Sequence, residues 1–224
     1  MLALLAHELR TPLQLVTGLQ DTLELALEAQ EESHTVAGVL QSLREAQAQL
    51  SAVIGDVLTA AALATGQTSL QRERFCLAMM GRDVLTLLAP RAQAKGLQLT
   101  LRLPSELPLL QGDEPRLGDA LSRLLGHVID LAPPDSVVSL RGFLMPGRLG
   151  VSVDDRSECL LTHVQPPLPV CWHEVESLDV RKGPGLGLGL FIARRIIEAH
   201  GGRIGLRAVA GAGNSFWFTL PLPA

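Results

Sequence analysis

Residues 7–13 read His-Glu-Leu-Arg-Thr-Pro-Leu, and the leading pair, His7 and Glu8, has the makings of a nucleophile. A carboxylate beside an imidazole can accept the ring proton while the other ring nitrogen attacks phosphorus. Thr11 follows His7 by four residues, on the same face of a helix, where a hydroxyl could position water for the reverse hydrolysis. Pro12 would interrupt the helical ladder there and free a backbone carbonyl. A second run, Gly183-Pro184-Gly185-Leu186-Gly187-Leu188-Gly189-Leu190, leads into Phe191-Ile192 and ends at His200-Gly201-Gly202. Glycines at a helix start let backbone N–H groups approach phosphate oxygens, and the helix dipole favours their charge. Alone, a His–Glu pair is usually a solvated helix surface and a glycine run is usually a turn. Their weight depends on the elements that carry them.

Leu2, Leu5, Leu9, Leu13, Val16, Leu19, Leu23 and Leu27 recur at spacings of three and four. After a polar break at Gln30–Thr35, a second stripe runs through Val36, Val39, Leu40, Leu43, Leu50, Val53, Val57 and Ala61. This near-heptad spacing predicts a helical hairpin over residues 1–66, too thin for its own core, that pairs two-fold into a dimeric four-helix bundle. Residues 67–74 read as a linker, and residues 75–224 mix helix and strand signals into a two-layer α/β domain. Within it the patterns predict helices at 77–94, 115–131 and 188–200, the last stopped by Gly201-Gly202. Strands are expected at 97–103, 137–144, 149–154, 203–209 and 215–221, with a turn at Gly211–Asn214 and an irregular stretch at 157–182.

The composition agrees with a folded chain. Of 224 residues, 47% are hydrophobic and 19% charged. The formal charge of -4 argues against bulk nucleic-acid binding. No apolar run reaches the roughly 18 residues a bilayer span needs, so no membrane contact is expected of this segment. Cys76, Cys159 and Cys171 lack metal-type spacing and read as unpaired thiols of a reducing compartment.

His7-Glu8-Leu9-Arg10-Thr11-Pro12-Leu13 strongly resembles the H box of sensor histidine kinases. The glycine run, its spacing to His200-Gly201-Gly202, then Gly211-x-Gly213 and Phe216-x-Phe218-x-Leu220-Pro221 resemble the second glycine box and closing strands of the Bergerat-type ATPase fold. Phe75 with Ala94-Lys95-Gly96-Leu97 resembles the entry of that domain, and Gly112-Asp113-x-x-Arg116-Leu117 the run into its N box. The resemblance covers nearly the whole chain. It implies catalysis by His7, Glu8 and Thr11, and ATP with Mg2+ as cofactors. It implies cofactor-binding positions at Asp155, Gly183, Gly185, Gly187, Gly189 and His127, and a response-regulator receiver domain as partner. It also implies a homodimer through residues 1–66 and a cytoplasmic portion of a membrane-anchored sensor. The abrupt helical start suggests a piece of a longer protein.

Three family positions depart from the pattern. The asparagine that holds magnesium becomes His127, the asparagine one turn earlier becomes Arg123, and the following lysine becomes Asp130. Imidazole is a poor magnesium ligand, so no metal site is assigned, and Asp130 adds negative charge where triphosphate is expected. The adenine loop Asp-x-Gly-x-Gly appears as Asp155-Arg156-Ser157-Glu158-Cys159, keeping the carboxylate and losing both glycines. His163 and His173 read as ordinary loop histidines, and His200 as a structural helix end. The expected function is ATP-dependent phosphorylation of His7 followed by phosphotransfer to a response-regulator aspartate, with the ATP step weakened. The alternative is a kinase-impaired regulator, acting as a phosphatase through Glu8 and Thr11 or by mixed dimerisation, as in degenerate hybrid sensor kinases.

Overall fold

A computed structural model describes residues 13–20, 22, 33–64, 69–155, 173–174, 188–209 and 213–223. The chain divides into two compact units, Met1–Thr65 and Gly66–Ala224.

The first unit is helical where it is described. A short stretch over residues 13–20 (α1) is followed by a helix over Ser33–Ala64 (α2) of 32 residues. At 1.5 Å per residue α2 is about 48 Å long. It starts inside the polar stretch Gln30–Thr35, ahead of the second apolar stripe. Leu13, Leu15, Leu40, Ile54 and Leu58 remain exposed, and Ala46 is the buried apolar residue among those described. Along the predicted stripes Val16, Leu19, Val39, Leu43, Leu50, Val53 and Val57 are half-buried, while Leu13 and Leu40 are exposed.

The second unit contains β1 (Glu73–Phe75), α3 (Leu77–Gln93), β2 (Gln98–Arg102), β3 (Leu110–Gly112) and α4 (Glu114–Leu131). These are followed by β4 (Val137–Met145), β5 (Arg148–Asp154), β6 (His173–Glu174), α5 (Leu188–Ala199), β7 (Arg203–Val209) and β8 (Gly213–Pro221). The main sheet has the order β2-β4-β5-β8-β7-β6. β2 runs parallel to β4, and the other pairs are antiparallel. β1 and β3 form a separate two-stranded ribbon. Glu73 and Arg74, read as linker, lie in this ribbon, with Phe75 opposite Leu110.

Alternation along the strands sorts the two faces. Leu101, Leu140, Val153, Phe216 and Leu206 lie abreast across five strands. Val151, Phe218 and Ile204 form the next row. Apart from the half-buried Leu101, these side chains are buried. The opposite row is Arg102, Arg141, Ser152, Trp217 and Gly205. β7 and β8 pair from Val209 to Gly213, so the second glycine of Gly211-x-Gly213 and Asn214 are already in strand.

The helices have matching stripes. α4 buries Leu117, Leu121, Leu124, Leu125 and Val128, while α5 buries Leu188, Ile192, Ile196 and Ile197. α4 begins at Asp113, whose carboxylate accepts the Arg116 backbone N–H at 3.2 Å, followed by a proline in the first turn. Its far end is closed by Lys95, whose Nζ donates to the carbonyls of Ile129 at 3.0 Å and Asp130 at 2.6 Å. Gly201, at φ 73°, ends α5 in the left-handed conformation that favours glycine.

Candidate nucleotide site

α4 places Arg123, His127 and Asp130 along one face, at the helical spacings of four and three. α3 brings Leu88 and Arg91 beside them, and the first turn of α5 brings Gly189 and Leu190. Together with Ser122 and Gly126 these residues line a cavity of about 300 Å³.

The His127 ring meets Phe216 of β8 edge-on, with centroids 5.2 Å apart and planes at 87°. Its Nε2 is shut off from solvent and has no hydrogen-bond partner among the described residues. Burial pushes the imidazole pKa below its ordinary value, outweighing the upward pull of Asp130 and Asp155. The ring is therefore neutral near pH 7.

Asp155, just past β5, is buried and tied to β8. Its backbone N–H donates to the Asn214 carbonyl at 2.9 Å, and its Oδ1 accepts the Asn214 backbone N–H at 3.1 Å. This pairing closes the end of the β5–β8 ladder and fixes the carboxylate. Asn214 follows directly on Gly211-x-Gly213, so attention to the residue after that motif could have found it.

Asp130 differs from its expected role. Arg91 Nη2 donates to both of its carboxylate oxygens, at 2.6 and 2.5 Å, so the negative charge is locally balanced. Arg91 stands in no motif, and only the packing of α3 on α4 reveals it. Arg123 Nε donates to both oxygens of Asp119, one turn earlier, at 3.0 Å.

The cavity residues do not fit magnesium. The position expected to offer a hard oxygen offers a buried imidazole edge packed on an aromatic ring. Among the described residues no group of three His, Cys, Asp or Glu side chains could hold a metal ion. Of the sequence-derived site residues, the structure places His127, Asp155 and Gly189 on the elements around this end of the sheet. His7, Glu8, Thr11, Gly183, Gly185 and Gly187 lie outside the described residues, as do Ser157, Cys159 and His163.

The model of the histidine kinase-, DNA gyrase B- and HSP90-like ATPases matches residues 112–224. The chain belongs to this ATPase family. Curated relatives that it resembles include sensor histidine kinases. Sensor protein GacS of Pseudomonas syringae pv. syringae is 31% identical over 99% of this chain and 25% of its own length. The signal transduction histidine-protein kinase BarA of Escherichia coli K12 is 30% identical over 99% of this chain and 24% of its own length. The chain thus spans about a quarter of these relatives. The Acinetobacter baumannii histidine kinase AdeS shares the fold, with TM-score 0.75 at 20% identity over 97% of this chain and 98% of its own. Full-length ShkA, solved in complex with AMPPNP, has TM-score 0.68 at 28% identity, over all of this chain and 46% of its own. No described helix is long and apolar enough to cross a membrane.

Proposed function

We propose that this chain is the transmitter core of a sensor histidine kinase that phosphorylates His7 from ATP and passes the phosphoryl group to a response-regulator aspartate, with the ATP step attenuated. The observation that carries the attenuated reading is His127: a buried, neutral imidazole against Phe216 stands where the family resemblance calls for a magnesium-binding asparagine. Phosphoryl transfer rests on positioning and on metal charge at the phosphates, so its loss slows the step. Asp155 is retained and held in place by Asn214, which suits it to receive an adenine amino group. The response-regulator reading is supported by ThkA, whose structure in complex with the response regulator protein TrrA matches this chain with TM-score 0.71 at 22% identity, covering 100% of this chain and 61% of that one.

The exposed Leu40, Ile54 and Leu58, on one face of α2, support a homodimer through residues 1–66, because a second copy would cover an apolar face the first leaves in water. The decisive experiment is incubation of the chain with γ-labelled ATP, with His7→Gln as control. Slow incorporation, absent in the control, is expected. Label that persists in His7→Gln would reject the acceptor assignment, and fast incorporation would reject attenuation.

A further inference from the structure

The row Arg102, Arg141, Ser152 and Trp217 lies on the opposite face of the main sheet from Leu140, Val153 and Phe216. A cavity of about 470 Å³ opens on that face, within the size range of small-molecule sites. It shares no described lining residue with the nucleotide cavity. Its middle is β5, where the small, buried Ser152 stands between Arg141 and Trp217. Two residues along β5, the Phe143 ring covers Gly150, where a Cβ would run into it. Trp217, 8% exposed, and Phe143 thus give the cavity aromatic walls from the two strands that flank β5.

The charges in this cavity do not balance. Arg102 and Arg141 are register partners on adjacent strands, with backbones about 4.8 Å apart. Like charges placed directly across a strand pair repel. Asp154 is the carboxylate among the described lining residues, and it is already engaged. Its Oδ2 accepts Arg141 Nε at 2.6 Å and the Ser152 hydroxyl at 3.0 Å. Arg102 is exposed and has no ion-pair partner among the described residues. One positive charge therefore stands without a counter-charge, beside two flat apolar walls.

We propose that this face of the sheet binds a planar aromatic carboxylate, its rings against Trp217 and Phe143 and its carboxylate on Arg102. A guanidinium pairs with both oxygens of a carboxylate and carries its charge permanently. Arg141 stays on Asp154, and the added negative charge offsets its repulsion with Arg102. Ring contact with the indole and the phenyl supplies affinity. The arginine selects the acid over a neutral molecule of the same shape.

The test titrates the full chain with naphthoate, with its neutral amide and with acetate, by calorimetry and by the indole N–H resonance of Trp217. Saturable naphthoate binding with Kd of about 1 mM or tighter is expected, with a shift of that resonance. The amide should bind at least ten-fold more weakly, and acetate should not saturate. Arg102→Gln should weaken naphthoate binding about ten-fold with an unchanged melting temperature, because the side chain is exposed. Arg102→Lys, which keeps the charge and loses the paired donors, should fall between the two. Equal affinity for acid and amide, or wild-type affinity in Arg102→Gln, would overturn the proposal. So would acetate binding as tight as naphthoate, saturation without movement of the Trp217 resonance, or no saturable binding. None of these outcomes touches the nucleotide reading, which rests on the other cavity.

Discussion

The Nε2 of His200 accepts the backbone N–H of Asp113 at 3.0 Å, joining the end of α5 to the residue that starts α4. The other ring nitrogen, Nδ1, donates to the Ile196 carbonyl at 2.7 Å, which fixes the tautomer. Both partners are buried, so neither bond has water to replace it. Asp113 in turn caps α4 and accepts the Gln71 backbone N–H at 3.1 Å. One histidine thus holds the base of the helix that carries Arg123, His127 and Asp130. His200→Leu keeps the volume and orphans the Asp113 N–H. It should lower unfolding free energy by about 1–3 kcal/mol, read from the shift of a urea midpoint. An unchanged midpoint would show that the bond contributes nothing net.

Acid should destabilise the ATPase domain beginning near pH 6.5. Burial lowers the pKa of both His127 and His200 from the ordinary imidazole value of 6.5. Above that value folded and unfolded states both carry neutral rings, and the stability is fully present. As pH falls from 6.5, the unfolded chain binds protons first, so stability is lost until the folded pKa values are passed. Melting temperature followed between pH 7.5 and 5 should fall, and His200→Leu should fall less steeply. A flat profile would contradict buried neutral histidines.

Gly202→Ala should be among the most damaging single-methyl additions in the domain. A Cβ there would press on the Thr219 carbonyl oxygen of β8 and lie 2.8 Å from the Ile197 carbonyl oxygen. Both are backbone atoms in regular elements, so neither can swing aside as a side chain would. Overpacking of this kind costs about 1–3 kcal/mol or more. The loss would appear in a chemical melt of the isolated variant, and wild-type stability would mean that β8 yields there.

The long periodic segments were legible because their burial follows from spacing alone. α4 was expected at 115–131 and runs over Glu114–Leu131, and α5 was expected at 188–200 and runs over Leu188–Ala199. The three-residue strands β1 and β3 were not legible, because three residues cannot display an alternation. They exist through their mutual pairing and the burial of Phe75 and Leu110. The site divides the same way. His127 and Asp155 follow from motif spacing, whereas Arg91 lies in no motif and reaches Asp130 only because α3 packs on α4. Asp130 therefore carries less uncompensated charge than its position in the sequence implies.

His127 is kept at a cost to stability, and two substitutions separate that cost from its chemistry. Its buried Nε2 lacks a hydrogen-bond partner among the described residues, and an unmet polar atom costs about 1–3 kcal/mol. His127→Leu retains apolar contact with Phe216 and removes the orphan nitrogen. It should unfold at equal or higher urea concentration than wild type, and a clear loss would mean that the ring is satisfied in solution. His127→Asn introduces the expected oxygen donor, but Arg123 and Asp130 remain beside it, and Ser157 and Cys159 still stand where the resemblance calls for glycines. Restoring one ligand of several does not rebuild an octahedral magnesium shell, so His7 labelling from γ-labelled ATP should stay close to the wild-type level. Strong magnesium-dependent labelling in His127→Asn would show instead that one residue had silenced an otherwise complete kinase.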